Sequence, residues 1–271
     1  MAIWGKKPPV IDVHVHTSFN KQSWKELSQA NGVHFNADGL IEECKKSNIT
    51  HFAAVYDMLD ENTPIISPEL SPQLEAKMLR VGVVNPEFAK ADALKKTEKL
   101  ISEKKIHALK IYSGRYPLYC SDKKFTPFYK LAGKYEIPVY IHTGDTVGEN
   151  SRLKYAHPLY TDDVAVDFPG TNFILTQLGN PWMDTAVEVA YKNDNVYLDT
   201  AGLFVGMLYS PLYQAKIKYV LDMLENPRKL IYGSDWPISS MHNYLAILKK
   251  LIPVGMHERV FYKNAKELFN I

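Results

Sequence analysis

The sequence is short of cysteine, of long apolar runs and of charge of one sign, and each shortage excludes a class of protein. Two cysteines, Cys44 and Cys120, in 271 residues leave no disulfide framework and suit a reducing compartment. No window approaches 18 consecutive apolar residues, so no membrane span is expected. Lysine and arginine number 32 against 30 aspartates and glutamates. Without a concentrated basic face, neither nucleic acid nor a membrane surface is an expected partner. The most basic stretch, residues 95–105, is broken by Glu98 and Glu103 and reads as the solvated side of a helix. Residues 1–9 have neither the apolar core nor the cleavage pattern of a signal peptide. There is no internal repeat, low-complexity tract or linker, and the 46% hydrophobic content is enough to bury a full core. The expectation is one cytoplasmic domain spanning residues 1–271.

What the chain does contain is alternation. Short runs rich in Val, Ile, Leu and Tyr predict strands at 10–15, 49–56, 79–84, 106–112, 138–142, 172–178, 195–199 and 229–233. Helical periodicity between them predicts helices at 38–46, 86–104, 127–135, 183–192, 211–224 and 241–251. Asn85-Pro86 offers a cap followed by proline in a first helical turn, and Gly133 weakens a helix near its end. Strand and helix alternating eight times, with strands almost continuously apolar, is what a closed parallel barrel demands, because both strand faces are covered. The fold class is therefore α/β, a (β/α)8 TIM barrel. A doubly wound open sheet is the runner-up, disfavoured because His16-Thr17-Ser18 stands where a glycine-rich phosphate turn would follow the first strand. Residues 57–71 and 143–159 read as long loops, which at the C-terminal ends of barrel strands shape a substrate pocket.

Those strand ends carry the chemistry. In His14-Val15-His16 the two imidazoles, two residues apart on a strand, point to one face. The fifth strand ends on His142 and the eighth on Asp235. A core histidine and a turn-capping aspartate are the ordinary explanations for His142 and Asp235 taken singly. Together, three nitrogens and one oxygen meeting at a barrel mouth make a metal site suited to one zinc, with manganese or iron as the other candidates. Such a metal lowers the pKa of its water from about 15.7 toward about 7, and Asp235 is then the candidate catalytic proton shuttle. His34, His51, His107, His157, His242 and His257 lack comparable support.

With these residues in view, the chain resembles the amidohydrolase superfamily. Within it the likeness is to the amidohydrolase 2 branch, which includes metal-dependent hydrolases and decarboxylases related to aminocarboxymuconate-semialdehyde decarboxylase. The likeness runs over nearly the whole chain. It rests on Ile11-Asp12-Val13-His14-Val15-His16, on Pro138-Val139-Tyr140-Ile141-His142-Thr143-Gly144-Asp145, on Gly179-Asn180-Pro181-Trp182 and on Tyr232-Gly233-Ser234-Asp235-Trp236-Pro237. A C-terminal stretch from Tyr262 to Phe269 adds to it. The resemblance implies His14, His16, His142 and Asp235 as metal ligands. It also exposes a departure, since Gln177 stands where family members usually place a histidine. Glutamine hydrogen-bonds but does not titrate, which puts a two-metal site in doubt. Lys110 occupies a strand on which some members carry a carboxylated lysine; a partner for an anionic substrate group is the favoured reading here. Tyr112 and Arg115 are weaker candidates for the same pocket, and Asp145 is a candidate support for His16 or Lys110.

Three functions follow. The first is a metal-dependent hydrolase in which activated water attacks an amide, ester or lactone. The second is a non-oxidative decarboxylase or hydratase of an unsaturated or aromatic carboxylic acid. The third, motivated by Gln177, is a non-catalytic ligand-binding barrel. The expected partner is a small, anionic molecule; a homo-oligomer is compatible with the sequence.

Overall fold

The apolar runs form eight parallel strands: β1 (Val10–His16), β2 (Ile49–Val55), β3 (Met78–Val84), β4 (Ala108–Ile111), β5 (Val139–Ile141), β6 (Phe173–Leu175), β7 (Val196–Asp199) and β8 (Leu230–Ile231). They were obtained in a computed structural model that describes residues 8–56, 63–146, 150–203, 211–224 and 226–271. Each strand pairs with the next in chain order. The ring is drawn together where the Val13 amide donates to Tyr232 O at 2.9 Å, the Asp235 amide to His14 O at 2.9 Å and the His16 amide to Trp236 O at 2.8 Å. This is the predicted (β/α)8 barrel.

Helices cover it in sequence order. They are α1 (Gln22–Ala30), α2 (Ala37–Ser47), α3 (Pro72–Glu75), α4 (Ala91–Ser102), α5 (Thr126–Lys134), α6 (Tyr160–Asp167), α7 (Met183–Lys192), α8 (Pro211–Leu224), α9 (Met241–Leu251) and α10 (Asn264–Leu268). The helix predicted over 86–104 begins late. Residues 86–90 form turns and Lys90 is the N-cap, because the Asn85 side chain accepts from the Glu87 amide at 3.0 Å and closes a local turn instead of a helix. Periodicity does not reveal the more polar α1 or the short α3, α6 and α10. Of the two expected loops, residues 57–62 and 147–149 lie outside the described residues. Among the described residues no helix is long and apolar enough to cross a membrane.

The core has two shells. Ile11, Val13, Ala53, Val55, Val81, Ala108, Tyr140, Ile174 and Ile231 fill the barrel, and Leu268 and Phe269 join them from the C-terminal helix. A larger layer lies between barrel and helices, including Val15 of β1 with Leu40 and Cys44 of α2. That division reveals how β1 is built. Ile11 and Val13 point inward, and strict alternation would send Val15 inward and both histidines outward. The pairing of β1 with β2 runs Asp12 to Phe52 and then Val15 to Ala54, three steps against two. This one-residue bulge resets the phase, so that His14 follows Val13 into the barrel and Val15 faces the helices.

The displaced backbone groups are all satisfied. Asp12 Oδ1 accepts from the His14 amide at 3.1 Å and the Ser234 amide at 3.0 Å, and the Tyr140 hydroxyl donates to Val13 O at 2.6 Å. Burial pushes the Asp12 carboxyl up to about 7, against the opposing pull of Ser234 and the His14 amide. An apolar replacement would leave two buried N–H groups bare.

Candidate active site

The bulge delivers His14 and His16 to the mouth, and β8 runs into Asp235, a residue with φ of 60°. Among the described residues these three form a group whose ligand-type atoms all lie within 4.8 Å of one another. His16 Nε2 is 2.9 Å and His14 Nε2 3.6 Å from Asp235 Oδ1, and Trp24 of α1 stacks on the His16 ring with centroids 4.3 Å apart. Gly233 permits the approach of β8 to β1, since a Cβ there would lie 2.9 Å from His14 Cβ.

The tautomer of His14 follows from its partners. The ring faces Asp199 Oδ2 at 2.9 Å through Nδ1, and a carboxylate only accepts, so Nδ1 carries the proton. The lone pair of Nε2 then accepts from Lys110 Nζ at 3.0 Å. Burial, and next the Lys110 charge, hold the proton affinity of His14 below its ordinary value, with Asp235 and Asp199 opposing. The ring is neutral. Burial alone would raise the Asp235 carboxyl, but His14, the bond from His16 and Lys110 outweigh it and keep it well below the usual carboxylate range. Its second oxygen, Oδ2, accepts from Gln177 Nε2 at 3.1 Å.

His142 stands beside this group rather than in it. Its Nε2 lies 3.1 Å from the Asp145 carbonyl, which can only accept, so Nε2 carries the proton and Nδ1 is a bare lone pair. Nδ1 is buried and has no hydrogen-bond partner. Burial, Lys110 and His14 push this imidazole down to about 3, so it too is neutral. Asp145 is exposed and serves His142 through its backbone; it does not brace His16 or Lys110 as the sequence reading suggested.

The remaining candidates gather around Tyr112. Lys110 Nζ lies 4.6 Å and Arg115 Cζ 5.3 Å from its ring centroid, and the His142 ring is 5.6 Å away. Lys110 is buried and Arg115 half-buried. Gln177 belongs to a tight turn in which it and Leu178 take φ of 61° and 49°, a left-handed pair that costs energy and is held by its surroundings. Its amide donates to Asp199 Oδ1 at 2.7 Å, while its own Oε1 is buried without a partner.

Asp199 is the residue that sequence reasoning missed. The signal was present, because Asp199 closes the seventh predicted strand just as His142 closes the fifth. Metal-ligand type at a strand end singles out the histidines and Asp235; Asp199 meets the same criterion.

This architecture is shared. The family model described as amidohydrolase matches residues 71–271, and the chain belongs to that family. Among solved structures, it is similar to an uncharacterised TIM-barrel protein from Bordetella bronchiseptica at 17% identity, with 97% of this chain and 98% of that one covered and a TM-score of 0.74. It is similar to 5-carboxyvanillate decarboxylase from Sphingomonas paucimobilis at 15% identity, covering 98% and 100%, TM-score 0.67. A dihydroxybenzoic acid decarboxylase from Polaromonas sp. JS666, solved with manganese and 2-nitroresorcinol, matches at 12% identity, covering 98% and 97%, TM-score 0.65. At such identities the likeness is one of fold. No curated protein matches the sequence.

Proposed function

We propose that this chain is a metal-dependent enzyme that removes the carboxyl group of a small cyclic carboxylic acid as carbon dioxide. The observation that carries the reading is the buried Lys110, whose Nζ donates to His14 Nε2 at 3.0 Å, directly against the His14, His16 and Asp235 group. The residues fit a divalent cation. His14 Nε2 carries a lone pair that would pass from Lys110 Nζ to the ion, and His142 Nδ1 is a buried lone pair with no protein partner. Asp235 supplies an ionised oxygen. His14, His16, His142 and Asp235 would hold the ion, and imidazole with carboxylate suits zinc, manganese or iron; the Polaromonas decarboxylase contains manganese. When bound, the ion is a Lewis acid that orients a substrate oxygen and stabilises developing negative charge.

The chain's own residues account for the rest. Arg115, half-buried beside Tyr112, meets the anionic substrate, and the Tyr112 ring, with Arg115 and Lys110 against it, is an aromatic wall suited to a ring. As the bond to the carboxylate breaks, its electron pair stays on the ring carbon, which takes a proton from Lys110 Nζ while carbon dioxide leaves. Gln177 Oε1, unpaired in the protein, accepts from a substrate hydroxyl. Hydrolysis asks for more, namely a group that takes a proton from water and returns it to a leaving group. Asp235, bonded to His16 and Gln177 and held well below the usual carboxylate range, is a weak proton acceptor, and Gln177 does not titrate, which favours decarboxylation.

The test is to load the protein with manganese or zinc and offer hydroxylated aromatic carboxylates alongside lactones and amides. Carbon dioxide is expected from at least one ring acid, with Lys110→Met losing about 100-fold or more in turnover while still binding metal. Opening of lactones or amides with no carbon dioxide from any acid would overturn the reading in favour of hydrolysis. Failure to take up either metal from excess salt would leave a non-catalytic barrel.

A further inference from the structure

We propose that Asp199 is a positioning residue: its carboxylate locks the His14 imidazole in the tautomer protonated at Nδ1, so that Nε2 presents its lone pair to the cation site. The same carboxylate also holds the turn that carries Gln177. Asp199 Oδ2 faces His14 Nδ1 at 2.9 Å. Oδ1 accepts from the Gln177 amide at 2.7 Å and from the Ala201 amide at 3.0 Å. Both His14 and Asp199 are buried, so water does not compete for either bond. One side chain at the end of β7 therefore sets the ring on β1 and the left-handed turn after β6. That turn in turn places Gln177 Nε2 on Asp235 Oδ2. A carboxylate behind a metal-binding imidazole fixes its orientation and basicity, and loss of such a partner costs roughly 10- to 100-fold in metal affinity.

The amide variant separates positioning from folding. In Asp199→Asn the carbonyl can keep both backbone donors, leaving the NH2 group where Oδ2 stood. Two N–H groups would then meet, so His14 must shift its proton to Nε2, where it confronts the donating Lys110 Nζ. The consequence for the cation rests on the metal site proposed above; the tautomer does not.

The experiment has two arms at neutral pH. The first records nitrogen-15 correlation spectra of the metal-free protein, with the His14 ring assigned by its disappearance in His14→Gln. Wild type is expected to show Nδ1–H, and Asp199→Asn to show Nε2–H while still unfolding in one cooperative transition at a lower midpoint. The second titrates manganese and zinc into both proteins, where Asp199→Asn is expected to bind roughly 10- to 100-fold more weakly. A wild-type ring protonated at Nε2 would overturn the proposal without any variant. So would an Asn variant that folds and keeps both the Nδ1–H tautomer and full metal affinity. If wild type shows Nδ1–H but binds no metal, the positioning role stands and the metal reading falls.

Discussion

Histidines stand at both ends of this barrel, buried at one and half-buried at the other, and only one end makes a candidate site of them. At the mouth, His14 and His142 are neutral and their lone pairs are fixed by acceptors, Asp199 Oδ2 and the Asp145 carbonyl. At the opposite end, His51 lies in β2 and His107 just before β4. Burial lowers both, and cations add to it, Lys77 and Lys266 on His51 and Arg80 and Lys104 on His107, as Lys110 does at the mouth, where Asp235 opposes it. His107 Nδ1 is consumed by the Arg80 amide at 3.2 Å. The difference teaches that lowered basicity does not make a candidate metal centre. Acceptors that fix the ring, with an ionised carboxylate beside it, distinguish the mouth.

Removing a carboxylate from the mouth is the strongest way to break the contrast. Asp235→Ala is expected to abolish stoichiometric metal binding and to cost roughly 100- to 1000-fold in turnover, measured by elemental analysis and by product release. If the variant retains one metal per chain, the mouth group is not the ligand set. Asp12→Ala attacks the strand geometry that aims the rings. It strands the His14 and Ser234 amides and should destabilise the fold by about 2–4 kcal/mol in denaturant titrations, whereas Asp12→Asn, which keeps an acceptor, should lose much less.

A finer probe is Gly202, whose φ is 62° and at which a Cβ would lie 2.5 Å from Asp235 Oδ2 and 3.0 Å from Gln177 Nε2. Gly202→Ala should part Gln177 from Asp235 and cost about 1–3 kcal/mol of stability. Equal stability with wild-type turnover would show the pair to be dispensable. The smallest effect belongs to the far end. His51 and His107 bind protons less readily folded than at the ordinary value of 6.5. Above pH 6.5 both states are neutral; below it the unfolded chain gains protons that the folded chain refuses, so stability falls as pH drops. The mouth histidines contribute with the same sign. His107→Gln should therefore flatten only part of the acid slope, and it should leave metal stoichiometry unchanged.

Much of this was legible from residue order. Period and turn chemistry located all eight strands to within a few residues, and the helices at 183–192, 211–224 and 241–251 coincide with α7, α8 and α9. α7 and α9 carry clear apolar stripes, and α8 is long and opens on proline. The late start of α4 was hidden because Asn85 prefers its own backbone turn, a competition that a proline-based rule does not weigh. At the site, His14, His16 and Asp235 do converge, while His142 sits just outside their cluster. Alternation alone predicted that His14 and His16 share a face, and they do. It could not say which face, because nothing in Asp12-Val13-His14-Val15 advertises an extra residue; the bulge emerges only when β1 is laid against β2.

That unadvertised residue makes the first strand intolerant in a particular way. Pairing β1 with β2 one for one from Asp12 onward would leave the pattern of two histidines around a valine intact to any motif search, yet would rotate both rings into the helix layer. A homologue whose first strand ran without the bulge would keep the signature and be blind at its mouth. Relatives of this chain are therefore better sorted by how the first strand pairs with the second than by the histidine pair itself.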